Sequence, residues 1–119
     1  MDIDSSLSAI ADSQEVVIKT SDGERTAGTI IWTAPHEGEI YIRSYLGDRG
    51  VWYKRALVNP EVVLTAGEVS VSMRAVPATD ADSIEAATQG FLDKYKPSSS
   101  RDAMVADRVL HTTLRLELP

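Results

Sequence analysis

Apolar residues along the chain recur with two spacings, one typical of helices and the other typical of strands. Residues that lie about one helical turn apart, such as Ile3, Leu7 and Ile10, indicate amphipathic helices. This spacing predicts helices over residues 3–12, 51–59, 80–95 and 103–110. The helix at 80–95 has the longest apolar stripe, and Pro60 would end the helix at 51–59.

Segments rich in β-branched residues predict six strands, at residues 15–20, 25–34, 40–44, 61–66, 68–78 and 112–118. In the third strand Ile40 and Ile42 face one side, whereas Tyr41 and Arg43 face the other. Short glycine-containing turns join neighbouring strands, so the sheet should be mostly antiparallel. Six such strands could close into a small barrel, which removes exposed sheet edges. The fold class predicted is therefore α+β, as one domain over residues 1–119.

Composition and charge narrow the range of partners. The chain has 119 residues, a net charge of −6 and no cysteine. An acidic chain is a poor candidate for binding nucleic acid or an anionic membrane surface, because both require positive charge. No apolar run reaches the roughly 20 residues of a membrane helix, and the acidic N-terminus does not resemble a signal peptide. We therefore expect a cytoplasmic protein, which the absence of cysteine also suits.

The segment from residue 43 to residue 55 has an unusual composition for so acidic a chain. It holds four bases and one acid, a net charge of +3 (four minus one), together with two glycines and three large aromatic residues. Guanidinium groups can hold phosphate oxygens in pairs, and aromatic faces can stack on a ring system. The segment therefore suits a phosphorylated, ring-bearing small molecule. Alternatively, the bases pair with surface carboxylates and the aromatic residues anchor the short helix.

The sequence EIYIRSYLGDRGVWYKRALVNPEVVL, residues 39–64, resembles the split-barrel flavin-binding superfamily, which includes pyridoxamine-phosphate-oxidase-like proteins. It is most similar to the deazaflavin-dependent nitroreductase-like branch and, within it, to an uncharacterised domain family. In that branch a strand ends in a small residue, here Ser44, and a glycine-containing loop leads to a Trp-Tyr pair, here Trp52-Tyr53. An Asn-Pro pair and a strand follow. The resemblance implies a six-stranded, mostly antiparallel split β-barrel with flanking helices.

The resemblance also implies a cofactor, FMN or a deazaflavin, and an oxidoreductase activity of the nitroreductase or quinone-reductase type. Its phosphate would lie near Ser44, Arg49 and Lys54 or Arg55. The full set of cofactor-binding residues implied is Arg43, Ser44, Arg49, Trp52, Tyr53, Lys54 and Arg55, with Lys19, Thr20 and Arg25 from the first hairpin. In the superfamily a second copy completes the pocket, so a homodimer is expected by analogy. The resemblance identifies no catalytic residue.

Two alternatives remain open because the first hairpin turn, SDGER, is shorter and more acidic than the GRKSG-like turn of deazaflavin enzymes. The chain could be a non-catalytic module that binds a small ligand. It could also be a structural homodimer whose pocket has decayed and that binds no cofactor. His36 and His111 are far apart in sequence and have no clustered partners, so no metal site is predicted. Trp32 is predicted to serve in packing, and Arg74 to form a salt bridge.

Overall fold

The computed structural model describes residues 2–119. The helices are α1 (Ile3–Asp12), α2 (Val51–Val58), α3 (Ala81–Lys94), α4 (Ser99–Met104) and α5 (Asp107–Leu110), with a 3-10 turn at Gly47–Arg49. The strands are β1 (Val16–Ser21), β2 (Thr26–Ile31), β3 (Ala34–His36), β4 (Glu39–Ile42), β5 (Glu61–Ala66), β6 (Val69–Pro77) and β7 (Leu114–Glu117). No helix among these residues has the length and apolar character needed to cross a bilayer.

All seven strands form one antiparallel sheet in the order β2-β1-β5-β6-β7-β4-β3. The prediction of six strands is wrong in number, because the predicted strand at 25–34 is divided into β2 and β3. Trp32 and Thr33 separate these two strands, which lie at opposite edges of the sheet. The first part pairs with β1, and the second leaves that hairpin to pair with β4.

This connection requires a curled sheet. Ile31 and Ala34 are three residues apart, so their Cα atoms are at most about 11 Å apart. In a flat sheet of seven strands the two edges would be about 29 Å apart. The sheet must therefore bend until its edges approach each other, which gives the half-closed barrel. The α+β split-barrel class predicted from the sequence is confirmed.

The two faces of the sheet support two apolar clusters. The cluster inside the barrel includes Ile10 of α1, Ile18 of β1 and Leu64 of β5, all fully buried. The second cluster lies between the sheet and α3 and is centred on Phe91, with Tyr41 among its members. Ile40 and Ile42 belong to the first cluster and Tyr41 to the second, which agrees with the predicted alternation in the third strand.

Helix α3 packs closely on β3 because Gly90 has no side chain. A Cβ atom at Gly90 would lie 2.7 Å from the carbonyl oxygen of Pro35 and 3.1 Å from Ala34. The helix begins at Asp80, whose carboxylate accepts a hydrogen bond from the Ser83 amide at 3.1 Å. Asp80 therefore caps the first turn of the helix.

The other differences from the predictions are small. The predicted helix at 103–110 is two short helices, α4 and α5, because the chain turns at residues 105–106. Arg74 forms the predicted salt bridge, at 3.5 Å from Glu61.

Candidate functional site: a groove beside the glycine loop

A groove of about 600 Å³ with mostly apolar walls lies between the end of β2 and the segment that follows β4. Its volume lies within the range of small-molecule sites. One wall comes from the β2 end, and the facing wall comes from residues 43–52; α4 closes one side. The lining residues are Glu15, Thr29, Ile30, Ile31, Trp32, Arg43, Ser44, Tyr45, Leu46, Gly50, Val51, Trp52, Ser100 and Met104.

The facing wall is a tightly held loop. Ser44 is fully buried; its hydroxyl donates to the carbonyl of Gly47 at 2.7 Å, and its amide donates to Thr112 Oγ1 at 3.0 Å. Gly47 has a φ of +63°, a conformation that favours glycine. A Cβ atom at Gly50 would lie 2.3 Å from Ser44 Oγ. The two glycines therefore allow the chain to turn directly from β4 into α2.

Helix α5 holds the same loop from outside. Arg108 donates to the Tyr45 carbonyl at 2.9 Å, and its guanidinium carbon lies 5.7 Å from the centre of the Tyr45 ring. His111 Nε2 lies 2.7 Å from the carboxylate of Asp48. These contacts join residues more than 60 positions apart and fix the outer wall of the groove.

Arg43 carries a positive charge into the interior beside the groove. Only 1% of the residue is exposed, and its guanidinium donates to Thr113 Oγ1 at 2.8 Å, to the Met104 carbonyl at 3.1 Å and to the Ile84 carbonyl at 2.9 Å. The Phe91 ring centre lies 5.6 Å from it. All these partners are neutral, and within residues 2–119 Arg43 forms no ion pair. Burial lowers the pKa of Arg43 to about 10, still well above neutral pH. An uncompensated buried cation favours an anion nearby.

The aromatic residues contribute in different ways. Trp52 lines the groove but is only 7% exposed and meets Tyr53 edge-on, with ring centres 6.2 Å apart. Tyr53 is buried outside the groove; its pKa is raised by burial and by the charge of Asp48. Trp32 lines the groove and stacks flat on Tyr95, with ring centres 3.8 Å apart. Trp32 therefore forms part of the site as well as packing against α3.

Of the cofactor-binding residues predicted from the sequence, Arg43, Ser44 and Trp52 line the groove. Arg49 and Lys54 are exposed and do not line the groove, although in sequence they flank the lining residues Gly50, Val51 and Trp52. Neither of these bases forms an ion pair with any residue from 2 to 119.

The remaining predicted residues lie elsewhere. Arg55 is half-buried and lies 3.9 Å from Asp22. Lys19 and Arg25 are exposed on the first hairpin. Thr20 is 1% exposed, and its hydroxyl has no hydrogen-bond partner among the described residues. The four bases of the 43–55 segment therefore do not converge: one is buried, two are exposed without an ion-pair partner among residues 2–119, and one faces a carboxylate.

The sequence interpretation did not include the β2 side of the groove, made by Thr29, Ile30, Ile31 and Trp32. These residues are distant in sequence from the glycine loop, and only the curl of the sheet brings the two together. The single sequence signal was a tryptophan at the end of an apolar strand. In residues 2–119, no three His, Asp or Glu side chains gather in a way that could hold a metal ion.

Solved structures share this fold at low sequence identity. A NimC/NimA family protein from Clostridium acetobutylicum has a TM-score of 0.64 and 14% identity, over 98% of this chain and 78% of the other. A proposed pyridoxamine 5'-phosphate oxidase from Listeria innocua has a TM-score of 0.64 and 13% identity, over 95% of this chain and 90% of the other. An FAD-binding protein from Mesorhizobium loti has a TM-score of 0.60 and 10% identity, over 100% of this chain and 91% of the other.

These similarities establish the fold and agree with the resemblance to the split-barrel superfamily inferred from residues 39–64. Comparison with curated proteins gives no match. A family model, described as "Uncharacterized protein conserved in bacteria (DUF2255)", matches residues 6–116. That match spans almost the entire chain and corresponds to the uncharacterised branch expected from the sequence. The chain therefore belongs to the DUF2255 family, on a split-barrel fold that pyridoxamine-phosphate-oxidase-like and FAD-binding proteins also have.

Proposed function

We propose that the chain binds a flavin-type cofactor, FMN or a deazaflavin, in the groove beside the glycine loop and acts as an oxidoreductase. The observation that carries this proposal is the combination of indole and aliphatic walls with a buried guanidinium that has no carboxylate partner among residues 2–119. A flavin joins a flat, largely apolar ring to a phosphate, so the residues present fit such a group. The similarity to an FAD-binding protein supports the same class of ligand.

In this proposal the ring lies between the two walls and the phosphate lies at the rim. Arg49 and Lys54 are exposed bases that flank the lining residues Gly50 and Val51 in sequence, and neither forms an ion pair within residues 2–119, so both are free to contact phosphate oxygens. Arg43 supplies positive charge from the buried wall of the groove. Ser44 fixes the loop and does not donate to the ligand, because the Ser44 hydroxyl and amide already donate within the protein. Arg55, Tyr53, Lys19, Thr20 and Arg25 would contribute only indirectly.

A bound flavin would supply the hydride or electron transfer, and the protein would supply binding and orientation. The apolar walls would exclude water from the ring. Glu15 is the single carboxylate in the lining, and it is exposed. Because the lining includes no histidine and no second carboxylate, a non-catalytic module that binds the same ligand is the second candidate function.

We further propose that a second copy of the chain covers the groove in a homodimer. Four large apolar side chains at its mouth are exposed in the single chain: Ile30 at 64%, Tyr45 at 55%, Leu46 at 52% and Val51 at 60%. Contiguous exposed apolar residues of this kind mark interaction surfaces. Analytical ultracentrifugation should give a dimer mass for the wild type, and Val51→Glu should shift the protein toward the monomer. A monomeric wild type at micromolar concentration would contradict the homodimer.

Titration with FMN, riboflavin and a deazaflavin tests the ligand and its phosphate together. FMN should quench tryptophan fluorescence saturably and raise the Tm, while riboflavin, which lacks the phosphate, should bind more weakly. The double variant Arg49→Gln/Lys54→Gln should weaken FMN binding about tenfold and leave riboflavin binding unchanged.

The matched control is Arg74→Gln/Lys96→Gln, which makes the same change in net charge at exposed bases that do not line the groove. If both double variants weaken FMN equally, the phosphate is not at the rim. If none of the three compounds binds the wild type, the proposed function is wrong, and a structural dimer without a cofactor remains. If binding is confirmed, turnover with a reduced cofactor and a nitroaromatic or quinone acceptor separates the oxidoreductase from the non-catalytic module.

A further inference from the structure

Trp32 presents a supported aromatic face to the groove. Its indole is parallel to the Tyr95 ring within 7°, and the ring centres are 3.8 Å apart. This geometry is that of a tight stack, so one indole face is covered by Tyr95. The part of the indole that lines the groove therefore belongs to its other face and its edges.

The support beneath Trp32 is rigid. The Tyr95 hydroxyl donates to the Gln14 carbonyl at 2.8 Å and accepts a hydrogen bond from the Thr33 amide at 3.3 Å. The Lys94 ammonium donates to the Thr33 carbonyl at 3.0 Å and to the Thr33 hydroxyl at 2.7 Å. The Thr33 hydroxyl in turn donates to the Ile10 carbonyl of α1 at 3.0 Å, so the residue directly after Trp32 is fixed to α1 and to the end of α3.

Trp52, the other tryptophan of the chain, is less suited to stacking. Its indole is part of the barrel core, is 7% exposed and meets Tyr53 at an interplanar angle of 85°. A ligand ring could contact its edge, whereas a stack needs an open face. The difference in exposure and in neighbour geometry points to Trp32 as the stacking residue.

We propose that Trp32, supported by Tyr95, is the residue on which the ring of the ligand stacks, as the third layer of a Tyr95–Trp32–ligand stack. This inference rests on the proposed function and makes it more specific. An indole already stacked on a phenol is electron-rich, so the site would favour flat, electron-poor rings such as an oxidised flavin. The anionic group of the same ligand would then extend toward the positive charge of Arg43 and the rim.

Two substitutions separate stacking from simple filling of space. Trp32→Leu removes the aromatic face and keeps an apolar side chain, and Trp32→Phe keeps a smaller aromatic face. Aromatic stacking on a heterocyclic base predicts a loss of roughly tenfold to one hundredfold in FMN affinity for Trp32→Leu, with a smaller loss for Trp32→Phe. Circular dichroism and Tm measurements show whether each variant is folded.

A second measurement uses the unsubstituted chain, so it does not depend on the folding of any Trp32 variant. With 5-fluorotryptophan incorporated, the protein gives two ¹⁹F resonances, which Trp52→Phe assigns. Saturating FMN should shift the Trp32 resonance by ring current more than the Trp52 resonance.

Equal FMN affinities for Trp32→Leu and wild type, or a shift confined to Trp52, would overturn the assignment of Trp32 while leaving the proposed function intact. Absence of FMN binding to the wild type would instead remove the proposed function itself. Equal losses for Trp32→Leu and Trp32→Phe would show that indole volume, and not the aromatic face, is required, which also contradicts the stack.

Discussion

The close approach of Gly50 to Ser44 gives the sharpest test of how the glycine loop is built. A Cβ atom at Gly50 would lie 2.3 Å from Ser44 Oγ, well inside contact distance. The backbone of Gly50, at φ −61° and ψ 123°, is a conformation that alanine adopts freely. Any cost of Gly50→Ala therefore comes from the Ser44 hydroxyl and from the loss of a glycine at the start of α2, and not from backbone strain.

The expected loss of stability can be worked out from the hydrogen bond that the Ser44 hydroxyl loses. To avoid the new Cβ, Ser44 Oγ must rotate and lose its 2.7 Å hydrogen bond to the Gly47 carbonyl. The buried Ser44 hydroxyl then loses this partner, whereas the Gly47 carbonyl keeps the 3.2 Å hydrogen bond from the Gly50 amide. That loss costs about 1–3 kcal/mol. Replacing glycine by alanine at the N-terminal cap adds up to about 1 kcal/mol. Gly50→Ala should therefore destabilise the protein by about 1–4 kcal/mol.

A double-mutant cycle with Ser44→Ala isolates the steric part. Without the hydroxyl, the nearest atoms to the new Cβ are Ser44 Cβ and the Gly47 carbonyl oxygen, both at 3.5 Å, which is ordinary contact. In that background Gly50→Ala should cost at most about 1 kcal/mol, so the coupling between the two substitutions should be about 1–3 kcal/mol. Urea unfolding of the four proteins measures it. Additivity within about 0.5 kcal/mol would refute the proposed clash.

Three further predictions concern α3 and its neighbours. Gly90→Ala should lower the free energy of unfolding in urea by about 3 kcal/mol, because the new Cβ would lie 2.7 Å from the Pro35 backbone. This loss should exceed the gain from the higher helix propensity of alanine. A Tm equal to that of the wild type would contradict this packing. Arg43→Ala should cost about 3–5 kcal/mol, since it removes three hydrogen bonds of a side chain that is 1% exposed and leaves a cavity in its place; a cost below about 1 kcal/mol in the same assay would show that the surrounding residues close that cavity. Burial lowers the pKa of Lys94 from 10.5 to about 8, and the nearby charge of Asp12 offsets only part of this effect. Between these two pH values the unfolded chain therefore binds more protons than the folded chain. The free energy of unfolding should therefore rise from pH 8 toward pH 10 in the wild type relative to Lys94→Met, and parallel pH profiles for the two proteins would argue against this burial effect.

The sequence by itself predicts much of the local structure. The amphipathic spacing of Ile3, Leu7 and Ile10 predicts α1 with its observed bounds, and the alternation around Tyr41 predicts which residues face each cluster. Hydrophobic periodicity is set by neighbouring residues, so it specifies elements and their buried faces. The residues from 39 to 64 likewise carried enough of the family pattern to identify the split barrel.

The tertiary structure determined where the groove forms and which of the basic side chains near it are buried, paired or free. Trp32 reaches the glycine loop only because β2 and β3 lie at opposite edges of a curled sheet, and that arrangement depends on pairing between strands far apart in the chain. The basic segment shows the same limit. Composition revealed four bases, but the packing of Phe91 and α4 around Arg43, and the proximity of Asp22 to Arg55, decided which charges are buried, paired or free. Sequence determines which side chains are present and their local faces, whereas contacts between distant segments determine which of them share one cavity.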